Sequence, residues 1–154
     1  MILAEELLND KVIISGFPGI GKSELFKVYG ESKVSDSDSS KFPKDNFPAN
    51  YISHIKDLIA NSNKKYILIS SHKVVRDALI AENIPFFLVY PNENCKDEYT
   101  NRYIKRGSPE AFVTLLSNNF NNFVQECKTT NSPIVTHIEL TNGQYLSNIL
   151  SRLG

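Results

Sequence analysis

Cysteine is scarce in this chain. Only Cys95 and Cys127 occur among 154 residues. They form no CxxC pair, and no Cys/His set has zinc spacing, so no zinc module is encoded. Two isolated thiols are expected to stay reduced, as in a cytoplasmic protein. Net charge is also missing, because 17 Lys plus Arg balance 17 Asp plus Glu. No global positive field exists to hold duplex DNA non-specifically. A nucleic-acid partner is therefore not indicated by net charge, although a local basic patch is compatible with one. No stretch approaches the roughly 20 apolar residues of a membrane helix. The opening MILAEELLNDK has neither a basic region nor a long apolar run. The expectation is a cytoplasmic chain with no secretory signal and no membrane partner.

What is present fits one globular domain over residues 1–154, with 41% hydrophobic and 22% charged residues. Short β-branched runs alternate with stretches of helical period, which argues for βαβ units and a mostly parallel sheet. Residues 11–15 (KVIIS), 33–35, Tyr66–Ser70 (YILIS), 86–90 (FFLVY) and 133–140 are the predicted strands. A helix is predicted over Lys22–Tyr29, stopped by Gly30. Pro48 is placed to open a second, with the stripe Tyr51, Ile52, Ile55, Leu58 and Ile59. Val74, Val75, Ala78 and Leu79 mark a third, and residues 95–106 a fourth. A long fifth helix is predicted behind Ser108 and Pro109, its stripe running from Phe112 to Cys127. Thr141 and Gln144 have capping-box spacing ahead of Leu146, Ile149, Leu150 and Leu153, which predicts a last helix. The expected architecture is a three-layer α/β sandwich around five parallel strands.

The strongest local signal is Gly16-Phe17-Pro18-Gly19-Ile20-Gly21-Lys22-Ser23, which satisfies GxxxxGK[ST]. By average residue usage, such a match arises by chance in roughly one chain in 200 of this length. The flanks fit as well, since the run follows a predicted strand and opens a predicted helix. Glycines at 16, 19 and 21 let main-chain N–H groups converge on phosphate oxygens. The helix beginning at Lys22 adds its positive dipole end. Pro18, Ile20 and Glu24 complete the segment expected to surround a nucleotide's phosphates. Lys22 reaches the β- and γ-phosphates, and the Ser23 hydroxyl is a ligand for Mg²⁺.

These residues resemble the P-loop kinases, the group of nucleotide, shikimate and gluconate kinases, in which the Gly19-x-Gly21-Lys22-Ser23 form is common. The resemblance covers most of the chain as architecture and a few short motifs as sequence. It implies a five-stranded parallel sheet of order 2-3-1-4-5, with ATP over its C-terminal edge, where open α/β sheets bind ligands.

Three further clusters are candidates for the acceptor side. Asp36-Ser37-Asp38 follows the weak second strand, 14 positions beyond Lys22 (36 − 22). That length spans one helix and a returning strand, which sets the acids beside the phosphate loop. Asp36 or Asp38 is the expected general base, and Asp36 also a Mg²⁺ ligand. Ser70-Ser71-His72-Lys73 ends the third strand, with Arg76 one turn on. Many P-loop ATPases carry an acid where Ser70 stands, whereas gluconate-kinase-like enzymes have a Ser-rich turn and then basic residues. The resemblance makes Ser71, His72 and Arg76 expected acceptor contacts. Tyr99, Arg102, Tyr103 and Arg106 share one helix face by their spacing. Guanidinium groups match phosphate oxygens bidentately. In the resembled family, the segment at about 92–109 is the lid, which assigns Arg102 and Arg106 to charge stabilisation.

The expected activity is phosphoryl transfer from Mg-ATP to a small-molecule or nucleotide acceptor. A nucleoside, a nucleoside monophosphate, a modified base in DNA and a sugar acid all fit, with the Tyr-and-Arg face favouring a base. The alternatives are a nucleotide-binding module without transfer and a simple NTP hydrolase. No spacing in the chain specifies an oligomeric state.

Overall fold

A computed structural model of the chain describes residues 11–30, 32–37 and 42–153. Five strands form one parallel sheet in the order β2-β3-β1-β4-β5: β1 (Val12–Gly16), β2 (Val34–Asp36), β3 (Tyr66–Ser70), β4 (Phe86–Pro91) and β5 (Val135–Leu140). Six α-helices flank it among the described residues: α1 (Lys22–Tyr29), α2 (Ala49–Asn61), α3 (Lys73–Ala81), α4 (Lys96–Lys105), α5 (Glu110–Asn118) and α6 (Phe120–Lys128). This is the α/β architecture expected from the sequence, with the strand order that the resemblance implies. β1 is central and buried at all five residues, which is why its sequence is a continuous apolar run rather than an alternating one.

Because every strand runs the same way, the C-terminal ends of all five meet at one edge. The register pairs Gly16 at the end of β1 with Ser70 at the end of β3 on one side and with Val89 of β4 on the other. Asp36 pairs with Leu68, which pairs with Ile14, so the end of β2 lies two strands from β1 and two residues short of the level of Gly16, about 10 Å to the side at ordinary strand spacing. Right-handed crossovers put α1 on one face of the sheet and α2 and α3 on the other. The contacts agree: α1 packs against β2 and a C-terminal 3-10 segment (Leu146–Arg152), and α2 packs against α3. Val34 and Asp36 therefore face the α1 side, and Ser35 and Ser37 the α2 side.

Three expectations need correction. The long helix predicted from Pro109 to Cys127 is two helices, broken at Asn119, whose φ of −112° and ψ of 11° leave the helical range. The break lets Phe120 turn inward, where its ring meets Phe17 at 5.6 Å and Tyr99 at 5.9 Å. The helix predicted after Thr141 is a 3-10 segment with non-helical φ/ψ at Ile149. Half of the capping box does form, with Thr141 N donating to Gln144 Oε1 at 2.8 Å. The apolar stripe of α3 is also narrower than expected. Val75 and Leu79 are buried, but Val74 is exposed, and the third buried position belongs to Arg76.

Arg76 is a core arginine. Its side chain is 4% exposed. Nε donates to Ser71 O at 2.9 Å, and Nη1 donates to Glu126 O at 3.0 Å and to Thr130 Oγ1. The guanidinium thus joins the turn after β3, at the start of α3, to the end of α6. A buried charge is tolerated only when bonded in this way, and removing it strands its acceptors. Arg76→Met is expected to lower unfolding free energy by about 2–3 kcal/mol, read as a lower urea midpoint at pH 7. An unchanged midpoint would show that the guanidinium does not hold these elements together.

Candidate functional site

The segment between β1 and α1 leaves the sheet at Gly16 and passes over the C-terminal edge. Its handedness comes from two glycines, Gly19 at φ +93° and Gly21 at φ +101°, in the left-handed region that side chains rarely enter. Close approach reinforces the requirement. A Cβ at Gly19 would sit 2.9 Å from Tyr103 Cε1 and 3.1 Å from Tyr99 Cδ2. A Cβ at Gly16 would lie 2.5 Å from Ile20 Cδ1.

The loop is anchored from behind. Phe17 and Ile20 are buried in the core. Phe17 N donates to Val89 O at 2.9 Å, and Leu146 N donates to Ile20 O at 2.8 Å. The Tyr103 hydroxyl donates to Pro18 O at 2.8 Å. The strongest tie is Arg102. Nη1 donates to Gly19 O at 2.8 Å, and Nη2 donates to Glu98 Oε2 at 2.6 Å and to Gln144 O at 2.9 Å. Its guanidinium carbon lies 4.4 Å from the Tyr99 ring centroid and 3.8 Å from that of Tyr145, within cation–π range. Glu98 Oε1 in turn accepts from Gly143 N at 2.7 Å.

The opposite side of the loop carries the polar groups of the start of α1. α1 begins at Lys22 behind Gly21, which has no side chain to cap it. The first N–H groups of a helix have no intrahelical acceptor, so those of Ser23 and Glu24 are donors of the kind an anion takes, with the helix dipole behind them. Lys22 is half-buried, and its ammonium donates to Gly16 O at 2.9 Å. Ser23 is exposed in the first turn. Glu24 is exposed and pairs with Lys27 at 3.4 Å, a solvated i,i+3 contact worth little in stability.

Asp36 is exposed at the end of β2 on the same edge. Asp38 lies outside the described residues. Ser71 is half-buried and His72 exposed, both at the mouth of α3. His72 N donates to Ser70 Oγ at 3.1 Å, and His72 O accepts from Val75 and Arg76. The edge thus brings together the glycine loop, Lys22, Ser23, Asp36, Ser71 and His72. It does not bring in Arg76, which is bonded under α3. It also divides the arginine pair. Arg102 is bound to main-chain oxygens, whereas Arg106 is exposed, bonded through Nε to Ser108 Oγ at 3.0 Å, 5.1 Å from the Tyr103 ring.

Donor chemistry fits a polyphosphate with a hard cation. The main-chain N–H row and Lys22 suit anionic oxygens, and the Ser23 hydroxyl and the Asp36 carboxylate are oxygen ligands of the kind Mg²⁺ takes. Among the described residues, no three His, Cys, Asp or Glu side chains group into a metal cage. Sequence reasoning passed over Glu98, Gln144 and Tyr145 as partners of the loop. The Glu98–Arg102 spacing of four was a readable helical pair. Tyr145 carries no periodic signal. The chain matches no protein-family model and no curated protein.

The tyrosines beneath the loop and the cysteines are held neutral. Burial raises the Tyr99 and Tyr103 hydroxyls well above the ordinary 10.0. It also pushes Tyr90 up to about 12 and the Cys127 thiol, ordinarily at 9.0, up to about 11. Each neutral group stabilises the fold fully below its unfolded pKa, and that contribution fades as pH rises toward the folded value. The urea midpoint is therefore expected to fall steadily above about pH 9, and a flat midpoint to pH 11 would contradict this burial. A thiol reagent at pH 8 should label Cys127 only after denaturation.

The glycine and the lysine separate structure from binding. Gly19→Ala is expected to cost about 1–3 kcal/mol of stability, the cost of a side chain in a strained backbone region. Lys22→Ala should cost less than about 1.5 kcal/mol, since the side chain is half-exposed and its bond to Gly16 O is partly replaced by water. Urea unfolding of the two variants reads the difference, and equal losses would mean that the loop is not strained at Gly19.

Proposed function

We propose that the chain is a P-loop phosphotransferase that moves the γ-phosphoryl group of Mg-ATP to a hydroxyl or phosphate acceptor. The observation that carries this reading is the loop at 16–23. A Gly-x-x-x-x-Gly-Lys-Ser run leaves the central strand of a 2-3-1-4-5 parallel sheet and opens α1, with Asp36 on the same edge.

In this reading each group has a defined task. The N–H groups at the start of α1 hold the phosphate oxygens, and the Lys22 ammonium leaves Gly16 O for the more strongly charged oxygens. Ser23 and Asp36 are the protein's ligands for Mg²⁺, which supplies charge neutralisation on the phosphates. Asp36, or Asp38 beyond it, takes the proton of the attacking hydroxyl. The acceptor oxygen forms a bond to the γ-phosphorus as the bond to the bridging oxygen breaks, and ADP carries off that electron pair. Ser71 and His72 are placed to orient the acceptor. Arg106, unlike Arg102, makes no bond to a main-chain carbonyl among the described residues, and its charge is left for the transferring group. A nucleotide, a nucleoside or a nucleic-acid end is the favoured acceptor class.

A second reading, a nucleotide-binding module without transfer, draws on Arg102. Its guanidinium, expected over the reacting phosphate, is bonded to Gly19 O, Gln144 O and Glu98. Simple hydrolysis is less supported, because Ser70 stands where an acid would orient the attacking water.

The test is a transfer screen with γ-labelled ATP and Mg²⁺ against pooled nucleosides, nucleoside monophosphates, sugar acids and oligonucleotides. Label in one pool, silent with Lys22→Ala, is the expected result. Removing Mg²⁺ with a chelator should abolish it. Label released only as free phosphate would establish the hydrolase. Nucleotide binding without movement of label would establish the binding module.

A further inference from the structure

Ser37, immediately after Asp36, is held at every polar atom it has. Its N donates to Leu68 O at 2.9 Å. Its carbonyl oxygen accepts the Tyr51 hydroxyl. Its Oγ lies 3.0 Å from His54 Nε2 and 3.0 Å from Ser35 Oγ. The residue is 7% exposed, at the end of an edge strand of only three residues. Such an end would ordinarily fray, since it has a neighbour on one side only.

The Tyr51 hydroxyl does more than hold Ser37. It also accepts from Ser70 N at 3.2 Å, so it bridges the ends of β2 and β3 just where their ladder stops. Ser70 is the register partner of Gly16, and Ser70 O accepts from Ser15 Oγ at 2.9 Å. Hydrogen bonds thus run without a gap from the residue beside Asp36 to the strand that launches the phosphate loop. Tyr51 is fully buried, and the Phe42 ring closes over it at 4.9 Å and over His54 at 5.1 Å. A phenylalanine would fill the same space. A hydroxyl there is tolerable only because both of its bonds are made.

We infer that Tyr51 and His54 of α2 are positioning residues that fix Asp36 relative to the phosphate loop, through Ser37 and Ser70. They act at one remove, on the main chain and side chain of the residue next to the carboxylate. This rests on the phosphotransfer reading above. Misplacing a reacting group by about 1 Å can cost about 100-fold in rate, so the device bears on turnover rather than on nucleotide affinity.

The test compares wild type with Tyr51→Phe, His54→Phe and His54→Gln, each checked for folding by circular dichroism. Transfer from γ-labelled ATP is measured to the acceptor pool that the wild type labels, and Mg-ADP affinity by calorimetry. Tyr51→Phe and His54→Phe are expected to lose about 10- to 100-fold in kcat with Mg-ADP affinity within about twofold. His54→Gln, whose amide nitrogen stands in for Nε2, should recover most of the loss. Folded phenylalanine variants that keep wild-type kcat would overturn the inference and leave the phosphotransfer reading standing. A wild type that labels no pool would overturn that reading, and this inference with it. Amide hydrogen exchange in the wild type is a check that needs no variant. Protection of Ser37 N–H comparable to that of β3 is expected, and exchange at the rate of an exposed loop would overturn the inference.

Discussion

The Arg102 guanidinium is the point on which the edge of this molecule depends. One cation meets the carbonyl of Gly19 in the phosphate loop, the carbonyl of Gln144 after β5 and the carboxylate of Glu98 one helical turn away. Two tyrosine faces close on it. Burying a charge in this way is costly unless it is bonded; the bonds of Nη1 and Nη2 join three segments that no strand ladder connects, while the buried Nε has no hydrogen-bond partner among the described residues. The loop's left-handed glycines would otherwise leave it a wide choice of conformations. Bonded at Pro18, Gly19 and Ile20, the loop presents its open N–H groups in one arrangement. That is the preorganisation an anion site needs.

The two sides of the edge are built differently. Toward β4 and β5 the loop is held by an ionised group and aromatic rings. Toward β2 and β3 the bonds are made by the hydroxyls of Ser15, Ser35, Ser37, Ser70 and Tyr51 and by the His54 ring. The buried cation fixes the loop through Gly19 O, and the hydroxyl bonds hold Ser37 beside Asp36.

Much of the fold was legible because parallel strands carry strong signals. The runs VIIS, YILIS and FFLVY are apolar on both faces and could belong only to covered strands. The glycine loop announced its place after β1 and before α1. What was not legible depends on contacts distant in sequence. The spacing of Arg102 and Arg106 showed a shared helix face, but not that one guanidinium would be taken by carbonyls 83 and 42 positions away. Arg76 looked like part of a basic turn, yet Val74 rotated outward and the arginine took the buried place. Asn119 sits inside a continuous apolar stripe, and only the packing of Phe120 against Phe17 and Tyr99 explains the break there. Tyr51 was read from the apolar stripe of its helix as a core residue, which it is, but the partners of its hydroxyl, Ser37 and Ser70, lie 14 and 19 positions away and leave no periodic signal.

The phosphate loop is written early in the chain and completed late. Residues 16–23 have the right glycines, but their carbonyls are held by Arg102, Tyr103 and Leu146. β1 itself is flanked by β3 and β4, formed some 50 and 70 positions later. During synthesis, a growing chain therefore carries the motif long before it carries the site. Until residue 146 is in place, the glycines are a flexible tether rather than a cradle. An early, half-made chain therefore has the glycines without the bonds that fix them, and the loop takes its shape only in a chain that has already closed its sheet.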